Sequence, residues 1–201
     1  MYAIGLTGQI ASGKSLAAET FKTLKISTLS ADDINRQLLV PGTEAYQAIH
    51  AHFGDAMLLP NQTINKPALR RLITHSTTSR SWLEALMHPL IQHNLKQALA
   101  DIKTGPYCVI EIPLLTNRQA YPYLDRVLFI ESTPEVQLTR LMQRDGATLS
   151  EAEALLAIQP PLTTYQQIAD DKIINDGLKS NFVKKIKNLH EQYLQYAAQK
   201  S

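Results

Sequence analysis

The stretch GQIASGKS, residues 8–15, decides the fold of this chain. Two glycines with four residues between them, followed directly by Lys14 and Ser15, have the spacing of a phosphate-binding loop. Glycine lets the backbone wrap around an anion, so that successive N–H groups converge on phosphate oxygens. The lysine can reach the β- and γ-phosphates of a nucleotide, and the serine hydroxyl can bind Mg²⁺. The predicted nucleotide-binding residues are Gly8, Ala11, Ser12, Gly13, Lys14, Ser15 and Leu16.

The flanking sequence supports this interpretation. Residues 2–7 form a short apolar run typical of a buried strand, and residues 15–24 favour a helix. Strand, loop and helix in that order direct the positive end of the helix dipole at the bound anion. The alternative is a glycine-containing turn between strand and helix that binds nothing.

Composition limits the class of protein. At 201 residues with 44% hydrophobic and 19% charged residues, the chain suits one globular domain, and a formal charge of +2 gives no broad footprint for nucleic acid. The single cysteine, Cys108, rules out an internal disulfide and a cysteine-rich zinc site. No apolar run approaches the length of a membrane span, and no basic leader is visible. We expect a cytoplasmic protein with no membrane or nucleic-acid partner, as a monomer or weak oligomer.

Four more strands are predicted, over residues 26–29, 107–112, 126–130 and 172–174, with helical patterns between them. Strands that alternate with helices predict an α/β fold with a five-stranded parallel sheet in three layers, whose ligands bind at the carboxyl ends of the strands. The interval 30–106 far exceeds a simple crossover. We therefore predict an inserted helical lobe at 32–103, a helical lid at 141–168, and a nucleotide-binding core from 1–31, 104–140 and 169–201.

Asp32 and Asp33 follow the second predicted strand. Phosphoryl transfer to an alcohol needs a carboxylate that orients the hydroxyl and accepts its proton, and Asp32 is placed for that role. Asp33 could serve as a helix cap. Glu111 lies within the apolar third strand, where a carboxylate needs a compensating partner. It is either a Mg²⁺ ligand with Ser15 or a glutamate on an edge strand.

The region after the fourth strand contributes further candidates. Ser132 and Glu135 have the spacing of a capping box, and Arg140 and Arg144 share one helical face. That face either meets bound phosphates or is simply solvated. Asn175 and Gly177 end the fifth strand, where the nucleotide base would be held, and they complete the predicted nucleotide-binding set.

Taken in order, the motifs resemble those of the dephospho-coenzyme A kinase family over nearly the whole chain. They are LTGQIASGKS at 6–15, ADDINR at 31–36 with Pro41 and Gly42, NKPALR at 65–70, HPLI at 88–91, EIPLL at 111–115, QLTRLMQRD at 137–145 and ADDKIINDG at 169–177. The resemblance implies a P-loop kinase that uses ATP and Mg²⁺ to phosphorylate the ribose 3′-hydroxyl of dephospho-coenzyme A.

The resemblance also implies residue roles. Asp32 would be the catalytic base, and Lys14 and Arg140 would be phosphate ligands that take part in catalysis. The acceptor would be bound by Asp32, Arg36, His88, Leu114 and Leu115.

The chain departs from the family pattern at several positions. Ser30 replaces the first aspartate of Asp-Ala-Asp, and Thr116 and Asn117 replace Phe-Glu. Tyr165 stands six positions after Gln159, where the family usually has a basic residue, so we expect a lid with less positive charge.

Three other functions fit parts of the sequence. A kinase for a nucleoside monophosphate or another small metabolite would keep the fold, but the long insertion with HPLI argues against it. A GTPase is disfavoured because NKPA at 65–68 lacks the aspartate of a guanine motif. A non-catalytic nucleotide-binding regulator would not need the base Asp32.

Overall fold

The computed structural model describes residues 1–200, so Ser201, the last residue of the expected nucleotide core, lies outside it. Five strands are observed, at Tyr2–Gly8 (β1), Ser27–Ser30 (β2), Tyr107–Glu111 (β3), Arg126–Glu131 (β4) and Asp171–Ile174 (β5). Each begins and ends within about one residue of its predicted position. The helices are Lys14–Thr23 (α1), Ala31–Leu38 (α2), Glu44–Phe53 (α3), Lys66–His75 (α4), Thr77–Asp101 (α5), Pro134–Asp145 (α6), Leu149–Ala157 (α7), Leu162–Ile168 (α8) and Lys179–Lys200 (α9).

The strands form one parallel sheet in the order β2-β3-β1-β4-β5. The predicted α/β class and five-stranded parallel sheet are therefore confirmed. β3 lies between β2 and β1, with Glu111 opposite Leu6 on one side and Ser30 on the other. Glu111 is therefore not on an edge strand, which removes that alternative explanation for it.

Two compact units can be described separately. One consists of residues 1–30 together with the chain from Leu99 onward, and its core packs the central strands against α1 and α9. The other, Ala31–Ala98, is entirely helical apart from its loops and a single β-bridge between Leu58 and Ile64. Its own apolar core includes Ala45, Ile49, Ile64, Leu69 and Met87.

The helical unit begins its helices at good capping residues. The side chain of Thr43 accepts a hydrogen bond from the Tyr46 N–H at the start of α3, and Asn65 accepts one from Ala68 at the start of α4. Pro67 occupies the first turn of α4, where its missing N–H costs nothing. Pro89 lies inside α5, which nevertheless runs as one helix of 25 residues.

Two predicted helix caps are wrong. Thr133, and not Ser132, is the N-cap of α6, and it makes no side-chain cap bond; the Ser132 hydroxyl instead donates to the carbonyl of Asn175 at 2.9 Å. Asp33 lies inside the first turn of α2, where it pairs with Arg36, because the helix already begins at Ala31.

Over residues 1–200, no helix combines the length and the apolar character that crossing a membrane requires.

Candidate active site

The loop between β1 and α1 has the backbone that a phosphate cradle requires. Gly13 has φ +105°, and a Cβ there would lie 2.2 Å from the side-chain amide nitrogen of Asn175. A Cβ on Gly8 would lie 2.4 Å from the carbonyl oxygen of Ile130. Both positions therefore require glycine, one for its conformation and both for space. Ala11 also has positive φ, at 56°, which marks a tightly constrained turn.

The side chains of Asn175 and Arg140 hold the loop from behind through the Ser12 carbonyl, and the Ser132 hydroxyl lies near the same oxygen. Asn175 donates to it from Nδ2 at 2.8 Å, the Ser132 hydroxyl is 3.3 Å away, and Arg140 Nη1 is 3.4 Å away. The C=O and the following N–H of a trans peptide point in opposite directions. The clamp on Ser12 therefore directs the Gly13 N–H away from these donors, and Gly13 lines the cavity in front of the loop.

The Arg140 guanidinium donates its hydrogen bonds to other groups of the protein. Besides Ser12, its guanidinium donates to the carbonyls of Ala11 at 3.2 Å and Asn175 at 2.7 Å, and to the Ser132 hydroxyl at 3.1 Å. It therefore joins the loop to the end of β5 and the start of α6. Arg140 also lines the cavity, but a direct phosphate bond would require it to release at least part of this network.

Lys14 lies over the loop that contains it. Its Nζ donates to the carbonyl oxygens of Gly8 at 2.8 Å and Gln9 at 2.9 Å. These two contacts keep the ammonium close to the loop. The Ile10 N–H in the same loop donates to Gln159 Oε1 at 3.2 Å, a contact that sequence reasoning missed.

The cavity in front of the loop has a volume of about 460 Å³. It is lined by Ala11, Gly13, Lys14, Ser15, Arg140, Gln143 and Arg144. The two predicted arginines thus share the cavity with the loop. Arg144 is bound by both carboxylate oxygens of Asp145, at 2.7 Å each, and these bonds lower the pKa of Asp145 and raise that of Arg144.

Asn175 does not occupy an open base-binding position. It is only 4% exposed and lies beneath the loop, where its backbone carbonyl accepts from Arg140. Gly177 has open space around its Cα, and both residues border a second cavity of about 300 Å³ beside the start of α9. Asn175 thus supports the phosphate loop from behind, and its contact with the nucleotide base stays a prediction.

The predicted Mg²⁺ ligands are only partly brought together. Ser15, in the first turn of α1, lines the cavity, whereas Glu111 ends β3 and is not among the residues that line it. No cluster of three or more His, Cys, Asp or Glu side chains suited to a metal occurs within residues 1–200. This set still suits Mg²⁺, which usually takes one or two protein ligands and completes its shell with water and phosphate oxygens.

The predicted acceptor residues divide between the two units. In the helical unit, Asp32 and Arg36 on α2 line a cavity of about 340 Å³, whereas His88 is exposed on α5 and does not line it. In the other unit, Leu114 is 61% exposed, but Leu115 has no exposed surface and its side chain packs at Gly5. Contact with the acceptor therefore stays a prediction for Leu114, whereas the buried side chain of Leu115 is not positioned to make such a contact.

Tyr165 is a core residue and not a substitute for a lid cation. Its ring is fully buried and stacks on Phe129 of β4, with centroids 5.2 Å apart and planes 5° apart. Burial raises the pKa of its hydroxyl. The side chain therefore points into the protein, whereas a basic residue that binds phosphates has to face them. Tyr165 is therefore not in an equivalent position to such a residue.

A parallel sheet whose first strand leads through a glycine loop into a helix, with a lysine and a serine at the cavity wall, defines a P-loop nucleotide-binding protein. The family model for dephospho-CoA kinase matches residues 2–181. The chain belongs to the dephospho-CoA kinase family.

Curated relatives and a solved structure agree with this placement. The chain is 42% identical over 197 residues to the dephospho-CoA kinase of Legionella pneumophila strain Philadelphia 1, covering 98% of both. It is 40% identical over 202 residues to that of Escherichia coli K12, covering 98% of this chain and 96% of the relative. The dephospho-CoA kinase structure from Campylobacter jejuni superposes with a TM-score of 0.73 at 26% identity, over 96% and 97% of the two chains.

The resemblance inferred from the motifs is thus confirmed. The chain is an enzyme of the kinase class in coenzyme A biosynthesis, with ATP as phosphoryl donor.

Proposed function

We propose that this enzyme transfers the γ-phosphoryl group of ATP to the ribose 3′-hydroxyl of dephospho-coenzyme A, the last step of coenzyme A synthesis. The single observation that carries the proposal is the clamped loop, in which Gly13 faces a cavity and Ser12 is held from behind by Asn175. A loop held in advance does not have to reorganise when charge develops, which is the source of electrostatic catalysis.

On the donor side, we assign phosphate binding to the loop from Gly8 to Leu16. The Lys14 ammonium would exchange its bonds to the Gly8 and Gln9 carbonyls for phosphate oxygens. Arg140 would act first by holding the loop, and Arg144 would reach the phosphates if it left Asp145. Base binding then falls to the surroundings of Gly177.

Mg²⁺ would be held by the Ser15 hydroxyl and the ATP phosphates, with Glu111 as a further ligand. When bound, it would neutralise charge that develops between the β- and γ-phosphates. The protein's own contribution is to present the hydroxyl at the start of α1 beside Lys14.

On the acceptor side, we assign the proton-accepting role to Asp32. It lies in the first turn of α2 and lines the cavity of the helical unit, whereas Asp33 is already paired with Arg36. A weak carboxylate base is sufficient because the hydroxyl gives up its proton late in a loose transition state. Arg36, His88 and Leu114 remain proposed acceptor contacts.

Three further features stay predictions: the division at 32–103 and 141–168 into acceptor lobe and lid, a monomeric or weakly oligomeric state, and a cytoplasmic location. Within the proposed lid, α7 rests on α6, and α8 is held by the buried Tyr165. We therefore expect any closure to involve α7 and its flanking loops more than α8.

The test compares Asp32→Asn with its neighbour Asp33→Asn in a coupled assay with ATP and dephospho-coenzyme A. We expect Asp32→Asn to retain binding of an ATP analogue but to lower kcat by at least about a hundredfold, the usual contribution of a positioned base. Asp33→Asn should weaken the pair with Arg36 and keep most of its turnover. The reverse pattern would show that the two carboxylates are assigned the wrong way round.

The same assay should include AMP and adenosine as acceptors. Turnover with either that exceeds turnover with dephospho-coenzyme A would contradict the proposed acceptor, whatever the aspartate variants do.

A further inference from the structure

The cavity of the helical unit is built from three helices. Asp32, Asn35, Arg36 and Leu39 come from α2, Leu83 and Met87 from α5, and the remaining wall from α4. All of these residues belong to the same compact unit, so the cavity is a property of the lobe itself.

Two cations on α4 face this cavity. Lys66 and Arg70 are four residues apart and therefore share a helix face, and both line the cavity. No ion pair joins either of them to a carboxylate anywhere in residues 1–200. Arg36, the third cation of the wall, is paired with Asp33. Lys66 and Arg70 are thus available to bind an anion from outside the protein.

The rest of the wall is apolar. Leu69 and Met87 are each 6% exposed and belong to the lobe core, and Ile73 and Leu83 are half-buried beside them. A ligand in this cavity would meet two positive charges and an aliphatic surface together. An inorganic anion alone would leave the aliphatic wall unused.

The acceptor has this same combination of groups. In dephospho-coenzyme A, the ribose that carries the 3′-hydroxyl also carries the 5′-diphosphate, and the diphosphate leads into a long, partly apolar pantetheine arm. Asp32, the proposed base, lines the same cavity as the two free cations. A ribose whose hydroxyl is held at Asp32 would therefore have its diphosphate in the cavity that Lys66 and Arg70 line.

We infer that Lys66 and Arg70 bind the diphosphate of the acceptor, and that the wall formed by Leu69, Ile73, Leu83 and Met87 contacts its pantetheine arm. The inference rests on the proposed function, which names the acceptor. It makes the lobe the part of the enzyme that selects a diphosphate ester over a simple nucleoside. Asn35 and Arg36 complete the polar side of the cavity without being required for this selection.

The test is a titration of wild-type enzyme and the Lys66→Gln/Arg70→Gln double variant with dephospho-coenzyme A, in the presence of a saturating non-hydrolysable ATP analogue. The analogue prevents the acceptor from binding at the nucleotide site. We expect the double variant to bind the acceptor at least about tenfold more weakly, because charge-assisted bonds to phosphate are lost. Its affinity for acceptor should also depend less on salt concentration.

Arg71→Gln is the matched control. Arg71 is an exposed cation on the same helix that does not line the cavity, so its loss should change acceptor affinity less than twofold. An equal loss of acceptor affinity in the control and the double variant would overturn the inference, because the loss would then follow from the net charge of α4 and not from the cavity. Unchanged affinity in the double variant would overturn it as well.

A second ligand separates the two halves of the inference. ADP-ribose keeps the ribose hydroxyl and the diphosphate but lacks pantetheine, so the double variant should lose affinity for it too. Ile73→Thr should weaken dephospho-coenzyme A binding more than ADP-ribose binding. If Ile73→Thr weakened the binding of both ligands equally, the apolar wall would not be the surface that contacts the pantetheine arm.

Turnover by the wild-type enzyme is measured in parallel. Absence of dephospho-coenzyme A turnover with intact, cation-dependent binding would contradict the proposed function and not this inference. Normal turnover with cation-independent binding would contradict this inference alone.

Discussion

At the residue scale, the Ser12 carbonyl is the point at which three distant parts of the chain control the phosphate loop. Asn175, Ser132 and Arg140 all converge on it, and the Asn175 amide also lies directly behind Gly13. Asn175 and Ser132 therefore have supporting roles that their sequence patterns, a strand end and a helix cap, did not indicate.

Replacing Asn175 with alanine should disorder the loop without touching the nucleotide directly. Loss of a buried hydrogen bond costs about 1–3 kcal/mol. We expect affinity for an ATP analogue to fall about tenfold, since about 1.4 kcal/mol corresponds to that factor. Calorimetric titration measures it, with Gln192→Ala on the exposed face of α9 as control. An unchanged affinity would mean that the loop keeps its shape without the clamp.

Gly13→Ala and Asn175→Ala together form a double-mutant cycle. The alanine methyl group at position 13 would clash with Asn175 Nδ2. The alanine would also have to adopt positive φ, which costs about 1–3 kcal/mol by itself. In the double variant the clash disappears while the backbone strain remains. The two free energies of unfolding should therefore not add, and additivity in denaturant titrations would contradict the close packing.

At the scale of elements, an aromatic stack packs α8 against the sheet. Tyr165 and Phe129 are both fully buried, and no partner for the Tyr165 hydroxyl is found among residues 1–200. The helical pattern predicted over 141–168 includes α7 and α8, which lie on either side of Pro160 and Pro161. It could not tell which face of α8 turns inward, because a helix this short offers only two turns of periodicity.

Tyr165→Lys, the change that would restore the family's usual residue type, should therefore reduce stability and not raise activity. Burying an unpaired ammonium is costly. Tyr165→Phe should be neutral or slightly stabilising because it removes an unsatisfied hydroxyl, and Tyr165→Ala should cost about 3–5 kcal/mol. Thermal unfolding of the three variants checks this order. A stable, fully active Tyr165→Lys variant would show that this position can face solvent.

Helix α7 begins with a capping box that titrates. Bonds from the Thr148 backbone N–H and hydroxyl hold the pKa of Glu151 below its usual range. The stabilisation is fully present above the ordinary glutamate pKa of about 4.3 and is lost as the pH falls through the lower pKa of the folded state. The Thr148 amide resonance should follow this titration, and in Glu151→Gln it should not. A normal glutamate titration in the wild type would contradict the box.

At the scale of the whole molecule, the parallel sheet places the single cysteine beyond the reach of solvent. Cys108 lies in β3 with Ser27 on one side and Ala3 on the other, and it is completely buried. Burial raises the pKa of its thiol to about 12. Reaction with a thiol reagent therefore requires the sheet to open.

Labelling of Cys108 at pH 8 should report global unfolding. An ATP analogue at a hundred times its Kd should slow labelling about a hundredfold, since such binding adds about 2.7 kcal/mol to the free energy of unfolding. Timed mass spectrometry measures the rate, and the chemically denatured protein serves as the fast control. Rapid labelling of native protein, insensitive to nucleotide, would show that β3 opens locally.

The strands, the first helix, the helical character of 32–103 and 141–168, the phosphate loop and the order of motifs typical of the family all follow from the sequence. These features depend on residues that are close together in the sequence: the spacing of apolar residues, the positions of glycines, and residues at helix starts such as Pro134 and Thr43. The tertiary structure alone decided that Asn175 supports the loop across 163 positions, that Tyr165 is buried, and that Lys66 and Arg70 share a cavity with Asp32. Those facts arise from contacts between elements far apart in the chain, and no local pattern encodes which side chains will meet.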